Sequence, residues 1–595
     1  MLSRISYILC TALVLYAAFV FYPKWNNKGP ETSLGWDACS YYWYLPATFI
    51  YQDLKEQKFG DSIIDKYGFE PTFEPFVHER SGNVVITYTS GLALMHLPAF
   101  AIAHVLAKPL GYPADGFSLP YQVAVQLWSL LAALVGLWYF RKLLLRYFSD
   151  KATAISLLLL VFGTNYLNYA GIDVTLTHSW LFTIYTLLML NAGNFYNNPN
   201  NKYAIRVGLL TGLAIFIRPS EMIALLIPLL WGMESISFRA IGKRFSFLLK
   251  HYRQVLLAAL CVGLIGSVQI LYWLYVTGEP FVYSYGDKGF SWKQPHFFDY
   301  TFSYRSGWLV YTPLMFFAFA GLLVYLWKGK NKVAVISFFL LNYYIVAAWD
   351  VWWYGGMGGR AMVQSYAVAF FMIAALAEWL LHTKWIKWPV FAVMLVFAYV
   401  NIWFTYNAHD LKGLYDPTGM TKAYYWAVVG KFKVPDETNK LKDTDELFEG
   451  EPKNMQLIYS YGFEDDTTAS DVNPISGNRS LYFPPYREYA PEKRFGFAKG
   501  NADWLRAKVT MKTMDDEWVY WKMLQYIISF SHKGEPVKSN MIRLHRFAVE
   551  KEPTEIYFDV KIPDTPVDTV HILFWNPGSG TTFKLDDIEI YSFEE

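Results

Sequence analysis

Charge is scarce in this chain, and cysteine scarcer still. Only 17% of the 595 residues are Asp, Glu, Lys or Arg, well below the ~25% of ordinary soluble proteins. The net charge of +2 provides no concentrated basic face, which argues against a nucleic-acid partner. There are three cysteines, and Cys10 and Cys261 lie inside apolar stretches, so no disulfide framework can be read. None follows Cys261, so the C-terminal part must be stable through its own core in either redox compartment. No internal repeat is visible, and the conspicuous acids read as loop residues. Both absences count against a transporter or flippase, which shows repeated halves and ionisable groups at mid-bilayer depth.

What the chain has instead is apolar and aromatic: 54% hydrophobic and 19% Phe, Trp or Tyr. Trp and Tyr favour membrane–water interfaces and also stack on sugar rings, so both roles stay open. The run from Ile5 to Phe21 follows Met1-Leu2-Ser3-Arg4. The alternative of a cleaved signal peptide lacks its small-residue cleavage pattern at Tyr22-Pro23-Lys24-Trp25, so a retained anchor is expected. Ten further spans are expected near 119–140, 153–170, 176–195, 203–217, 220–234, 254–276, 308–326, 332–348, 361–382 and 389–405, eleven in all. The step at Arg218-Pro219 reads as a tight hairpin or as one helix broken at the proline.

Basic residues orient the spans. Arg141, Lys142, Arg146 and Lys151, then Lys202 and Arg206, Arg239 to Arg253, Lys328 to Lys332, and Lys384 and Lys387 share one face if residues 23–118 form a first outer loop. The positive-inside rule then puts the N-terminus in the cytoplasm and the C-terminal domain outside a cytoplasmic membrane. The same count requires the apolar stretch Gly91–Ala107 to lie at the outer interface without crossing.

Residues 407–454 are polar with no sustained period and read as a linker. Beyond them, alternating segments such as Glu555-Ile556-Tyr557-Phe558-Asp559-Val560 are separated by turns such as Asn576-Pro577-Gly578-Ser579-Gly580. Residues 455–595 are therefore expected to form an antiparallel β-sandwich after a polytopic helical domain over 1–406.

Four clusters fall on the outer face. They are Asp37 with Tyr41 and Tyr42; Asp173 with His178; Arg218 with the loop 277–307 carrying Arg305; and the stretch Trp349 to Arg360. Each has a bland reading: a solvated loop acid, a satisfied interfacial histidine, a snorkelling arginine, an aromatic belt. Arg218, Arg305 and Arg360 together are harder to dismiss, since they sit where topology disfavours cations. A guanidinium fork matches phosphate oxygens, and an unpaired charge at the edge of a bilayer is costly. A lipid-linked phosphate would account for all three.

On these features residues 1–406 resemble the GT-C superfamily of integral-membrane glycosyltransferases. The features are an early outer-loop acid (Asp37), the interfacial segment Tyr88–Pro98, a second outer-loop acid (Asp173) near His178, the Arg218-Pro219 step and the Trp349–Arg360 stretch. Ala38 follows Asp37 where the protein O-mannosyltransferase branch has a second acid, and no oligosaccharyltransferase-type Trp-Trp-Asp signature is present.

The resemblance implies an inverting transferase that takes a sugar from a polyprenyl-phosphate donor. The acceptor would be a hydroxyl of a glycan, lipid or protein, reached at the outer membrane face. Asp37 would be the base. Asp173, His178, Tyr41 and Tyr42 would orient donor or acceptor, with Asp173 and His178 the alternative ligands of a divalent cation. Arg218, Arg305 and Arg360 would hold the phosphate. The C-terminal domain resembles a jelly-roll carbohydrate-binding module through Tyr461–Glu464, Ser476–Leu481 and Leu585–Ile588. In such modules acids near both chain ends hold a structural calcium, a role that would fall to Glu464 and Asp587. A transporter of lipid-linked sugars and a non-catalytic anchor for a sugar-binding domain remain the rival readings.

Overall fold

The computed structural model describes residues 1–595 apart from 70, 73–75, 410–413, 417, 516–518 and 520–521. The chain divides into two units, Met1–Pro417 and Thr418–Glu595.

The first unit is helical. Its principal helices are α1 (Leu2–Tyr16), α2 (Trp36–Tyr42), α3 (Gly91–Ala107), α4 (Leu119–Leu144), α5 (Asp150–Gly163), α6 (Thr177–Asn197) and α7 (Asn201–Ile217). These are followed by α8 (Phe238–Lys250), α9 (Tyr252–Thr277), α10 (Phe316–Lys328), α11 (Lys332–Ala348), α12 (Tyr366–Leu381) and α13 (Lys387–Ala408). α12 is the central helix, buried on nearly every side.

Five stretches are long and apolar enough to cross a membrane by length and composition: Leu2–Asn26, Leu119–Leu144, Tyr252–Thr277, Arg360–Leu381 and Lys387–Ala408. Gly91–Ala107, Pro219–Leu230, Pro313–Lys328 and Lys332–Ala348 are shorter apolar helices. The expected eleven spans thus become a more uneven set, for two reasons. Pro219 and Pro313 each open 3₁₀ turns that shorten the helix behind them. α6 bears Thr183, Thr186 and Asn191 turned into the protein, so its apolar content falls although it is well buried.

The bundle has two chemically distinct ends. At one, the Met1 amino group meets Asp150 at 2.8 Å, Arg146 donates to Asn194 at 3.0 Å, and the Asn331 amide donates to Glu234 at 2.8 Å. The basic segments therefore gather there. At the other end lie Asp37, His178, Arg218 and Arg360.

α3 begins hard against the end of α7: a Cβ on Gly91 would lie 2.4 Å from the Phe216 carbonyl carbon and 2.5 Å from the Ile217 nitrogen. The turn after α3 is held by Tyr42 Oη donating to the Gly116 carbonyl at 2.7 Å and Lys66 Nζ to Asp115 at 2.8 Å. The C-terminal end of α3 thus joins the 23–118 assembly that carries Asp37.

The second unit is an antiparallel β-sandwich. One sheet runs Thr554–Lys561, Trp504–Thr513, Phe583–Glu594, Ser480–Phe483, Ala469–Ser470, with Lys453–Tyr461 also pairing to Phe583–Glu594. The other runs Lys493–Gly496, Thr569–Trp575, Gln525–His532, Glu535–Arg543. Alternate residues of both sheets, among them Leu505, Val509, Ile528, Phe530, Ile572 and Leu585, form one core. Much of the run read as a linker belongs to this unit. Asp443, with no exposed side-chain surface, binds Arg543 at 2.7 Å and Arg546 at 3.2 Å. Phe448 packs on Trp504 and Phe593. A buried carboxylate between two guanidinium groups explains why this polar stretch folds in place.

Candidate active site

Each charged group at the cavity end is aimed by its local backbone. Gly35 precedes α2 and passes so close to Pro30 that a Cβ would lie 1.8 Å from its carbonyl oxygen. That tight entry brings Asp37, in the first turn of α2, inward. Arg218 follows α7 and precedes Pro219, which forces it out of the helical region to φ −148°, ψ 121°. Arg360 follows the glycine-rich stretch 355–359, interrupted by Met357. Gly356 and Gly359 adopt φ +107° and +63°, and a Cβ on Gly359 would lie 2.6 Å from Trp308 Cβ. Only glycine passes there without strain, so the backbone itself delivers Arg360 to its position.

Asp37, Arg218, Arg360 and His178 line one cavity of about 550 Å³ with Tyr41, Tyr88, Tyr285, Trp349 and Tyr354. Arg360 binds Asp37 Oδ2 at 2.7 Å and lies over the Tyr354 ring at 4.5 Å. Asp37 Oδ1 accepts hydrogen bonds from Thr72 Oγ1 and, at 3.1 Å, from Tyr88 Oη. Burial pushes the Asp37 carboxyl up, but the Arg360 charge and the Thr72 and Tyr88 hydrogen bonds outweigh it and hold it below the usual carboxylate range. Asp37 is therefore ionised at neutral pH. Tyr41 stacks on Tyr88 with ring centroids 4.2 Å apart. The Arg218 guanidinium faces the cavity with no hydrogen bond or ion pair among the described residues.

His178 belongs to a buried chain. Tyr185 Oη donates to Glu221 Oε2, Gln364 Nε2 donates to Glu221 Oε1 at 3.0 Å, and Gln364 Oε1 lies 3.0 Å from His178 Nδ1. A carboxylate only accepts, so Gln364 must turn its oxygen to the histidine, and Nδ1 must carry the proton. In the neutral ring this leaves the Nε2 lone pair free. Glu221, only 2% exposed, lies within the expected span 220–234. This corrects the reading that the acids all lie in loops.

Three of the expected site residues do not line the cavity. Asp173 pairs with Lys24 and accepts from Asn168 at 2.9 Å. Burial raises its carboxyl, but Lys24 and His409 outweigh this and take it down to about 2. Arg305 lies over the Trp353 ring at 4.7 Å. Tyr42 is buried in the loop core, its hydroxyl on Gly116.

In the second unit, both Glu464 oxygens accept from the Asn478 amide at 2.9 and 3.1 Å, and Asp587 Oδ1 accepts from Ser476 Oγ at 2.8 Å. These acids pin the 476–478 turn. Among the described residues no group of three or more His, Cys, Asp or Glu could hold a metal ion.

Sequence reading missed Thr72, Gln364 and Glu221. Only Glu221 carried a signal, as an acid inside an apolar span.

No protein-family model and no curated protein matches the chain. Among solved structures it is similar to an oligosaccharyltransferase from Archaeoglobus fulgidus in its apo form, at 12% identity and TM-score 0.43, covering 74% of this chain and 59% of that one. Archaeal oligosaccharyltransferase AglB from the same organism, in complex with an inhibitory peptide and a dolichol-phosphate, matches at 13% identity and TM-score 0.41, covering 71% and 57%. The chain therefore spans less than three-fifths of the length of these two proteins. Arabinosyltransferase EmbB from Mycobacterium smegmatis matches at 10% identity and TM-score 0.36, covering 97% of this chain and 64% of that one. A family 16 carbohydrate-binding module matches at 15% identity and TM-score 0.16, covering 22% of this chain and 92% of its own.

Proposed function

We propose that the chain is a membrane glycosyltransferase that moves a sugar from a polyprenyl-phosphate donor to an acceptor hydroxyl with inversion. The observation that carries this reading is the convergence of an ionised carboxylate and two guanidinium groups in one aromatic-lined cavity. Asp37 Oδ1 is the proton acceptor: an incoming hydroxyl takes the place of Thr72 as its hydrogen-bond donor. The hydroxyl proton passes to Asp37 as the oxygen bonds to the anomeric carbon. The bond from that carbon to the phosphate oxygen breaks, and its electron pair leaves on the polyprenyl phosphate. Arg218 meets the phosphate, and Arg360 links the base to the developing charge. His178 Nε2 accepts from a sugar hydroxyl. Tyr41, Tyr88 and Trp349 supply faces for the ring.

The test is purified protein in proteoliposomes with a panel of polyprenyl-phosphate sugars. Asp37→Asn is expected to bind the lipid and transfer nothing, and retained transfer in that variant would refute the base assignment. Movement of intact donor across the bilayer without cleavage would favour the transporter reading instead.

A further inference from the structure

The 238–250 helix, α8, stands apart from the rest of the bundle. It has 13 residues and none is buried. At about 100° per residue its side chains sort into three arcs. Ala240, Arg244 and Phe247 form the arc that meets the protein: Phe247 packs on Tyr196, and the Arg244 guanidinium lies 3.8 Å from the Tyr196 ring centre. Phe238, Ile241, Phe245 and Leu249 form a second arc and are 97, 46, 62 and 57% exposed. Arg239, Lys243 and Lys250 form the third, and none has an acidic partner among the described residues.

We infer that α8 is a lipid-surface helix: it lies in the membrane interface at the basic end of the bundle, and its cationic stripe takes the headgroups of anionic phospholipids. The apolar arc runs on into the exposed residues Leu256, Leu260 and Leu264 of α9, one of the helices long and apolar enough to cross a membrane. A soluble protein partner would have to cover a face continuous with lipid, whereas a bilayer covers both. The stripe lies about 140° around the helix from the apolar arc, which places the cations at headgroup height when the phenylalanines reach the acyl boundary. Trp231 and Tyr196, the contacts of Arg244, fix the tilt. This inference is independent of what the cavity at the far end does.

The three native cysteines are buried, so Phe245→Cys gives a single reactive thiol on the full-length chain. A bimane attached there is read in proteoliposomes of equal phosphatidylcholine and phosphatidylglycerol, with brominated acyl chains on one lipid at a time. The bimane is expected to be shielded from aqueous iodide, and brominated phosphatidylglycerol is expected to quench it several-fold more than brominated phosphatidylcholine. At about 1 kcal/mol for each cation near an anionic surface, each charge accounts for roughly a fivefold preference at most. Arg239→Gln, Lys243→Gln and Lys250→Gln together should bring the quenching ratio to unity while shielding persists. Free access of iodide in the parent chain overturns the interfacial placement. Shielding with equal quenching by the two lipids overturns the anionic-headgroup assignment.

Discussion

Breaking the pair Asp37–Arg360 one partner at a time should destabilise the helical unit far more than breaking it whole. The two charges meet at 2.7 Å with each side chain only 12% exposed. At an effective dielectric of about 20, unit charges ~4 Å apart attract by roughly 4 kcal/mol. Removing one partner of a buried pair typically costs about 3–5 kcal/mol, because the other charge is left uncompensated. Asp37→Asn keeps an acceptor for Thr72 and Tyr88, so most of its cost is the orphaned Arg360 guanidinium. Adding Arg360→Gln should then recover a large part of the loss, giving a coupling of about 2 kcal/mol or more. The measurement is unfolding of the four proteins of the cycle in nanodiscs, followed by tryptophan fluorescence.

The pH dependence has a definite sign. The folded carboxyl is depressed below its unfolded value, so the stabilisation is fully present above the ordinary carboxylate range and is lost as the pH falls through the folded pKa. The gap between parent and Asp37→Asn should thus be constant from neutral pH down to about pH 5. Additive single effects, or a gap that widens on acidification, would refute the reasoning. The double variant also separates folding from chemistry: it should regain stability and still transfer no sugar.

Arg218 makes no hydrogen bond or ion pair among the described residues, so Arg218→Gln should cost little stability and weaken binding of a short polyprenyl phosphate by about tenfold or more, read by competition. Gly359→Ala places a Cβ against Trp308 at positive φ and should cost about 1–3 kcal/mol while displacing Arg360, visible as a lower unfolding midpoint and lost transfer. Lys24→Met leaves Asp173 buried without its cation. Without Lys24, burial raises the Asp173 carboxyl, so the variant takes up a proton first and the parent's advantage in unfolding midpoint should shrink as the pH falls from neutral into the weakly acidic range.

Hydropathy and alternation made the two-part architecture legible, because each reports a long averaged pattern. The outer-face argument also brought Asp37, Tyr41, His178, Arg218 and Arg360 to one cavity, since topology limits which loops share a face. It could not tell which loop residues point inward. Arg305 and Asp173 lie on the same face, yet Trp353 and Lys24 hold them elsewhere. Thr72 and Gln364 are ordinary residues given a role only by what they touch, and nothing in their spacing marks them. The polar run after residue 406 misled because composition records solvation on average, whereas a few contacts tie it down: Asp443 to Arg543 and Arg546, and Phe448 to Trp504 and Phe593.

That clamp decides where the chain should be cut to obtain the C-terminal sandwich as a soluble fragment. A fragment beginning at residue 455, where strand alternation starts, would discard Asp443 and take its buried carboxylate away from Arg543 and Arg546. One beginning at Thr418 keeps the counter-ion, together with the hydroxyl that Arg543 reaches at 2.9 Å. Expression trials with the shorter fragment would be expected to give insoluble material for reasons unrelated to any ligand.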